Sequence, residues 1–458
     1  MTAALRHHIA RTLVLGLPLV GSQVAQILIG VTDTLMLGRY SVEALAAGTI
    51  GTSYFFTLFV LGSGFAIAVM PMAAEALGRS DEGRVRRVTR MGLWLSFLTG
   101  IVLLPAMWWS EPILRQLGQA PGVAADAQGY LRIAGLGMVP WLLVATLRSH
   151  LSALERTRIV LMATLLAAPA NATLNWFLIF GNAGFPELGL RGAAIASVAV
   201  QILTLVVLMG YATRGEGMRR FDLLHNIHRP EWPAFGAIFR LGWPIGLTHV
   251  AEASLFSATA LMMGWLGTIA LAAHGIAIQI AALTFMVHLG LSSAATVRVG
   301  QAWGQGDVPA LRLAALAATI LSAVAVVIAV ALYFGAGPWL IGLFLDRSAP
   351  DAPAILALGV HLLALAALFQ LVDAGQVMAL GMLRGIQDTR RPMIYAIVAY
   401  WTLGIPSSYG LGFVLGWGPT GVWLGLVVGL AAAMAALFAR FLRLTSGAAP
   451  TEAVTSRS

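Results

Sequence analysis

Three acidic residues stand inside long apolar stretches of this sequence. Asp33 lies in "LIGVTDTLMLG", Glu252 in "LTHVAEASLFS" and Asp373 in "LALAALFQLVDAGQVMALG". A charge near the middle of a bilayer costs at least about 2.5 kcal/mol, so such residues generally face a protein interior or a wet cavity. A desolvated carboxylate is stabilised by an approaching cation. The three acids are therefore candidates for binding H⁺ or Na⁺, with Glu252 and Asp373 as candidate Na⁺ ligands.

Each acid also has a purely structural explanation. Asp33 stands between two threonines, and this polar trio could simply hydrogen-bond neighbouring helices. Glu252 follows His249 by three residues, so the two side chains share a helix face and could form a structural pair. Asp373 is flanked by a glycine and a glutamine and could likewise serve packing alone.

Two asparagines form a further polar cluster in "AAPANATLNWFLIFG". Asn171 and Asn175 are spaced i, i+4, which places them on one face of a helix. Buried amides need hydrogen-bond partners, and Asp33 in the same half of the chain is the expected one. A polar clamp between two helices is the alternative.

The elements that carry these residues are predicted to be membrane helices. Of 458 residues, 59% are hydrophobic and only 10% are charged, whereas a soluble domain has about a quarter charged. The alternating pattern of an outer-membrane barrel is absent, so the spanning elements are helices. Twelve apolar runs reach the length of about 20 residues that a bilayer requires. They are 12–37, 47–72, 90–109, 130–153, 159–180, 192–212, 240–265, 276–300, 312–334, 355–382, 393–415 and 420–442.

The arginines predict the orientation. All 28 basic residues are Arg, and most lie in the loops after even-numbered spans or near the termini. The positive-inside rule then places both termini in the cytoplasm. The net charge of +9 is explained by topology and by contact with anionic lipids, and no nucleic-acid partner is expected. The absence of cysteine excludes disulfides and thiolate metal sites.

The chain contains an internal repeat at a shift of 226 residues. This shift aligns Pro18 with Pro244, Gly64 with Gly290 and Asp81 with Asp307. The sequence therefore predicts two six-helix bundles, 1–220 and 235–445, with a cytoplasmic linker at 221–234 and a flexible polar tail at 446–458. An even number of helices per repeat makes the bundles parallel, related by a pseudo-two-fold axis. Repeated bundles around a central cavity are the plan of secondary transporters that work by alternating access.

Other functional classes fit the sequence less well. Neither a P-loop nor an HExxH motif occurs, and the nine histidines form no catalytic constellation. The pair of His249 and Glu252 is the single suggestive arrangement, so the chain is not expected to be an enzyme. A channel would share the hydropathy, but two repeats with isolated buried acids favour alternating access.

Several long motifs resemble the multidrug and toxic compound extrusion (MATE) family, and in particular its NorM-like branch. They are "VTDTLMLGRYSVEALAAGTIG", "GLSSAATVRVGQAWGQGD" and "LVDAGQVMALGMLRGIQDTRRPM". The resemblance implies an antiporter of the bacterial inner membrane that exports amphiphilic organic cations in exchange for Na⁺ or H⁺. It implies no bound cofactor, and a monomer surrounded by lipid is expected. A lipid-linked precursor flippase of the same superfamily is the alternative, although such proteins typically have extra helices and a cationic cavity.

The resemblance also assigns roles to particular positions. Asp33 matches the acid of the family's first helix, Glu252 that of the seventh and Asp373 that of the tenth. Asn171 and Asn175 fall where the family places polar partners of the first-helix acid. The resemblance thus implies the three acids for ion coupling and the two asparagines as supporting polar residues.

Two positions depart from the family pattern. Many NorM-like members have tyrosine where this chain has Phe369, and many have glutamine where it has Gly275. The first change removes a hydroxyl that could help to bind a cation, and the second removes an amide near the expected substrate path. Asp33, Glu252, Phe369 and Asp373 are the expected substrate contacts, with acids attracting a cation and the ring offering apolar surface.

Overall fold

The computed structural model describes residues 3–346 and 348–446, and these form a chain of helices. The polar tail predicted at 446–458 lies outside the described residues except for Ser446. The helices are α1 Ala3–Tyr40, α2 Val42–Gly78, α3 Glu82–Trp108, α4 Ser110–Gln116, α5 Pro121–Leu136, α6 Met138–Ala153, α7 Thr157–Phe180, α8 Gly189–Arg214, α9 Trp232–Leu266, α10 Thr268–Gln305, α11 Val308–Gly342, α12 Ala352–Gly385, α13 Arg390–Val398, α14 Ile405–Tyr409 and α15 Gly418–Ser446.

Every predicted span falls on one of these helical segments. Ten of the described helices are long and apolar enough to cross a membrane, and α5 with α6 forms a further pair bent by 46°. The remaining predicted span, 393–415, coincides with α13 and α14 joined by π-helical turns at 399–404 and 410–414. The prediction of an all-α polytopic membrane protein is confirmed, with ten to twelve crossings.

The internal repeat is visible in the way the helices begin. Asp81 caps α3, and its side chain accepts a hydrogen bond from the backbone N–H of Arg84 at 2.8 Å. Asp307 caps α11 in the same manner, with Ala310 as donor at 2.9 Å. A carboxylate at this position satisfies one of the amides left free by the first helical turn. The two aspartates therefore start equivalent helices in the two halves.

The described helices group into two compact units whose limits differ from the predicted bundle boundaries. One unit is Gly21–Gly246, and the other combines the residues up to Val20 with those from Leu247 onward. The two limits, after Val20 and after Gly246, are again 226 residues apart. The first part of α1 thus packs with the second repeat, and the first part of α9 packs with the first repeat. We call these units the N-terminal unit and the C-terminal unit.

Two glycines matched by the repeat explain this exchange. A Cβ atom added to Gly64 would lie 2.4 Å from the carbonyl oxygen of Gly242, and one added to Gly290 would lie 2.6 Å from a methyl group of Val20. Each glycine lets a helix approach so closely that a side chain has no room. The early segments of α1 and α9 are therefore held by α10 and α2, which begin in the opposite repeat.

The predicted linker is folded against the N-terminal unit. Arg90 of α3 donates hydrogen bonds to the carbonyl of His225 and to the carboxylate of Glu231, both at 2.6 Å. Trp94 donates to the carbonyl of Ile227, also at 2.6 Å. The buried Arg90 side chain thus fixes the segment that leads into α9, which begins at Trp232.

A stripe of glycines holds α15 against the irregular helix before it. A Cβ atom on Gly421 would lie 2.4 Å from the backbone of Leu411, and one on Gly425 would lie 2.1 Å from the backbone nitrogen of Ser408. Gly429 makes the same kind of approach to Gly404. This spacing of small residues lets helix backbones touch. The packing fixes the position of residues 399–414, which carry Tyr400 into the core of the C-terminal unit.

Candidate functional site

The N-terminal unit brings Asp33 together with the asparagines of α7. The side-chain amide of Asn175 donates to the carboxylate of Asp33 at 2.5 Å and to the side-chain oxygen of Asn171 at 3.2 Å. Both asparagines are buried. Ser197 of α8 also lies within hydrogen-bonding reach of Asp33. Two helices, α7 and α8, therefore supply the polar surroundings of this acid.

The threonines beside Asp33 do not take part in this cluster. The hydroxyl of Thr32 donates to the carbonyl of Leu28 at 2.8 Å, and that of Thr34 donates to the carbonyl of Gly30 at 3.0 Å. Both hydroxyls satisfy backbone carbonyls of their own helix. Within this polar trio, Asp33 makes the hydrogen bond to α7, whereas the two threonines bond within α1.

The same unit contains a basic residue that the sequence reading passed over. Arg148 of α6 donates to the side-chain oxygen of Gln26, to Ser22 at 3.2 Å and to Gln23 at 3.2 Å. All three acceptors lie on α1. Arg148 lies inside α6, where neutral oxygens accept its hydrogen bonds.

The C-terminal unit brings Glu252 of α9 together with α12. The amide of Gln376 donates to Oε1 of Glu252 at 3.0 Å. On the other side, Nδ1 of His249 lies 3.7 Å from Oε2 of Glu252. Both carboxylate oxygens therefore face a donor group. Gln376 was noted in the sequence merely as a neighbour of Asp373, and its contact with α9 requires the fold.

His249 joins this carboxylate to an arginine. The guanidinium of Arg384 donates to Nε2 of His249 at 3.2 Å. Arginine has no acceptor atom, so Nε2 must accept, and the neutral ring then carries its proton on Nδ1. That proton points toward Glu252. Arg384 precedes an arginine-rich loop in the sequence, but its side chain is buried at the end of α12.

Asp373 lies in the same core, with far fewer donors. Its side chain is 3% exposed and close enough to Glu252 for the two carboxylates to interact electrostatically. Among the described residues, Oδ1 of Asp373, Oε1 of Gln376 and the hydroxyl of Tyr400 are buried without a hydrogen-bond partner. Buried polar atoms are normally paired. Asp373, Gln376 and Tyr400 therefore leave three buried oxygens unpaired in the unit that also holds Glu252.

A second polar cluster adjoins Asp373 one helical turn earlier. The hydroxyl of Thr284 lies 2.5 Å from that of Tyr333 and 3.1 Å from the side-chain oxygen of Gln370. Gln370 is fully buried. Neutral polar residues inside apolar runs give little sequence signal, so this cluster was not predicted.

The oxygen-rich surroundings of Glu252 and Asp373 fit a small hard cation, since such ions prefer carboxylate, carbonyl and water oxygens. Within residues 3–346 and 348–446, no group of three or more His, Cys, Asp or Glu side chains is placed to hold a metal ion. A Na⁺ ion here would therefore need Tyr400 and Gln376 as neutral oxygen ligands beside the two acids.

The two positions that depart from the family pattern have different surroundings. Phe369 is 2% exposed, and its ring packs edge-to-face against Phe256 and Trp423 with centroids 5.9 and 5.8 Å away. In this structure the ring contacts protein rather than open space. Around Gly275, in contrast, no atom lies within 4 Å of the position that a Cβ would take. The missing glutamine leaves free volume there, whereas the missing tyrosine hydroxyl does not.

Sequence and structure comparisons find known proteins that are similar to this chain. The MatE family model matches residues 18–177 and 244–410. A probable multidrug resistance protein NorM from Rhizobium meliloti (strain 1021) is 46% identical over 437 residues, which are 95% of this chain and 94% of the relative. Its counterpart from Agrobacterium fabrum (strain C58 / ATCC 33970) is 41% identical with the same coverage. An outward-facing multidrug resistance MATE family transporter of the MOP superfamily superimposes with a TM-score of 0.86 at 20% identity, over 97% of this chain and 98% of that one.

The apolar helices and their buried acids define a polytopic all-α membrane transporter. The chain belongs to the MatE family, which is the family that its motifs resemble. The two family matches, one on each side of the linker, also agree with the internal repeat. Membership in a transporter family confirms the expectation that the chain is not an enzyme.

Proposed function

We propose that this protein is a secondary antiporter that exports amphiphilic organic cations, drugs among them, in exchange for Na⁺ or H⁺ by alternating access. Its relatives at 46% and 41% identity carry the name of a multidrug resistance protein. The single observation that carries the coupling part of the proposal is the pairing of Glu252 with the buried Asp373, next to unpaired oxygens.

Two neighbouring carboxylates, of which Asp373 is buried and Glu252 is partly buried, suggest how an ion can drive the cycle. When both are ionised, their mutual repulsion and their desolvation are unfavourable. One H⁺ on either acid, or one Na⁺ between them with Tyr400 and Gln376 as further ligands, relieves this cost. The site therefore has an empty form and an occupied form with different charge, and a bistable bundle can respond to that difference.

Asp33 provides a second, separate response in the N-terminal unit. Its carboxylate accepts a hydrogen bond from Asn175. Protonation would remove the charge and turn one carboxylate oxygen into a donor, so the contacts with Asn171 and Asn175 would have to rearrange. We infer that Asp33 responds to protons and that this rearrangement changes the packing of α1 against α7.

The cargo proposal depends on charge and on accessible aromatic rings. Phe56 and Trp265 are 56% and 66% exposed, so they offer flat apolar surface that the buried Phe369 does not. The lipid-linked flippase is less well supported. The buried helical arginines of the described residues are Arg90, Arg298 and Arg384. Each of them already has an acceptor within its own unit, as does the half-buried Arg148, so none of the four is free to receive an anionic headgroup.

The experiment is efflux of a fluorescent organic cation from proteoliposomes containing the purified protein. An inward Na⁺ gradient at constant pH and an inward H⁺ gradient without Na⁺ are imposed separately. We expect at least one gradient to accelerate efflux of the cation but not of an anionic dye of similar size. The proposal would be contradicted if neither gradient changed the rate of cation efflux, or if the anionic dye left faster than the cation.

We further propose that the protein is a monomer in the bacterial inner membrane with both termini in the cytoplasm. The chain has no cysteine, so a single introduced thiol is unique. His225→Cys in the linker should react with a membrane-impermeant maleimide only after cell lysis. Ser348→Cys in the exposed loop between α11 and α12 should react in intact spheroplasts. Reversed labelling of the two variants would overturn the orientation, and light scattering in detergent tests the monomer.

A further inference from the structure

Arg384 is a permanent cation buried in the C-terminal unit. Its residue is 7% exposed, although it closes a helix that ends beside an arginine-rich loop. Burying a guanidinium is costly unless it is paired. The polar side chain that it contacts is His249, at 3.2 Å, and His249 in turn faces Glu252 at 3.7 Å. The arginine is therefore connected to the carboxylate site by a single imidazole.

The donor and acceptor roles along the connection from Arg384 through His249 to Glu252 are fixed. Arg384 can only donate, so Nε2 of His249 accepts and Nδ1 donates toward Glu252. Gln376 donates to the other oxygen of Glu252 at 3.0 Å. Glu252 thus receives donors from two sides, and the positive charge of Arg384 stands behind one of them. Asp373 and Tyr400 complete the charged and titratable groups that surround Glu252 and Arg384 in this core.

We propose that Arg384 is the built-in counter-charge of the carboxylate site and, through His249, the positioning residue for Glu252. This inference rests on the proposed antiport function. With Arg384 in place, one monovalent cation balances the remaining negative charge of Glu252 and Asp373. The arginine thereby keeps cation binding weak enough for the ion to leave in each cycle.

If this proposal holds, removing Arg384 should raise the affinity of the site for its driving cation rather than lower it. Removing a fixed positive charge strengthens the attraction of two carboxylates for a cation. The contact distances place the Arg384 charge within about 9 Å of the Glu252 carboxylate, where an effective dielectric constant of about 20 gives roughly a tenfold change in affinity. Arg384→Gln should therefore bind the driving cation more tightly and release it more slowly. Arg384→Lys keeps the charge and should retain an affinity close to that of the wild type.

The test measures gradient-driven efflux of a fluorescent cation in proteoliposomes. Na⁺ is varied at constant pH, and H⁺ is varied without Na⁺, so that whichever ion drives the wild type is titrated. We expect Arg384→Gln to lower the half-saturating concentration of that ion roughly tenfold and to lower the maximal rate. Arg312→Gln is the matched control, because Arg312 lies in the same unit and donates to the backbone carbonyl of Thr445 instead.

The outcomes separate this inference from the proposed function. If the wild type shows no gradient-driven efflux, the antiport proposal fails. If the wild type is driven but Arg384→Gln has unchanged or weaker affinity, Arg384 is a structural residue and the inference is wrong. A purely structural arginine would lower the rate without tightening cation binding.

A second measurement covers the case in which Arg384→Gln folds but transports too slowly for its half-saturating ion concentration to be determined. Thermal stability in detergent is compared for Glu252→Gln, Arg384→Gln and the double variant. Each single variant leaves one buried charge uncompensated, so we expect the double variant to lose less stability than the two single losses combined. Additive losses would contradict an electrostatic link through His249.

Discussion

The two units hold their buried acids in different ways. In the N-terminal unit, Asp33 stands beside neutral donors, of which Asn175 at 2.5 Å is the nearest. In the C-terminal unit, Glu252 and Asp373 form a pair that includes a histidine and an arginine. A lone acid among amides changes its hydrogen bonds when it gains a proton. A pair with an internal counter-charge instead changes its net charge when it gains one cation. On the coupling proposed above, the two halves of the repeat therefore respond to cations in different ways, and we refer to this proposal as the two-device account.

The largest expected effect on efflux comes from removing one carboxylate of the pair formed by Glu252 and Asp373. Glu252→Gln or Asp373→Asn should reduce gradient-driven efflux at least about 100-fold, because intramembrane acids that form ion pathways tolerate no neutral replacement. The measurement is efflux from proteoliposomes at matched protein content. Asp346→Asn is the control. It changes an exposed loop acid whose carboxyl pKa is lowered by hydrogen bonds from Ser348, and it should leave efflux unchanged. Full coupled efflux in both single variants would remove the pair from the mechanism.

A smaller effect is expected when Asp33 loses its donor. Asn175→Leu leaves the carboxylate without its closest hydrogen bond, and an unsatisfied buried group costs about 1–3 kcal/mol. We expect a lower melting temperature in detergent and efflux reduced about tenfold. Asn182→Leu, in the loop after α7, serves as the control for losing an asparagine near the membrane surface. Wild-type stability and efflux in Asn175→Leu would show that Asp33 does not depend on α7.

The packing behind the carboxylate pair predicts a change of stability. Gly425→Ala places a methyl group 2.1 Å from the backbone nitrogen of Ser408, so α15 must move away from the segment that carries Tyr400. Overpacking of this kind costs about 1–3 kcal/mol. Gly410→Ala, which meets nothing within 4 Å in the same segment, is the matched control. Equal melting temperatures for the two variants would mean that this contact does not hold the segment.

Much of the fold could be read from the sequence, because long apolar runs and the matched Pro18 and Pro244 are strong local signals. The contact between Asp33 and Asn175 was also accessible, since an i, i+4 pair of asparagines in an apolar helix demands a polar partner. The exchange of the first parts of α1 and α9 was not accessible. It depends on which helix fits against Gly64 and Gly290, which periodicity does not reveal.

The C-terminal site was only half predicted for a related reason. Glu252 and Asp373 are conspicuous as charges, whereas Tyr400 and Gln376 look like ordinary polar residues in apolar runs. Arg384 was hidden by its neighbours, because an arginine at the end of a span and next to further loop arginines resembles a topology signal. Its burial is set by packing against α9, which no local pattern encodes.

The smallest expected effect comes from introducing at position 275 the glutamine that many NorM-like members have there. Gly275→Gln extends a side chain from α10 into open volume, so we expect the free energy of unfolding to stay within about 0.5 kcal/mol of the wild-type value. Any change should appear in the affinity for one cargo relative to another, measured by competition with the fluorescent cation. A large loss of stability would mean that the site around Gly275 is closed in the membrane.

The most direct test of the two-device account is the affinity for an organic cation, measured in detergent between about pH 5.5 and 8. Wild type, Asp33→Asn and Asp373→Asn are compared at constant Na⁺. The amide at position 33 mimics the protonated acid, so we expect Asp33→Asn to bind cargo with little pH dependence. Asp373→Asn should keep the part of the pH dependence that comes from Asp33. The same pH dependence in Asp33→Asn as in the wild type would contradict the account, because Asp33 would then be structural and all coupling would belong to Glu252 and Asp373.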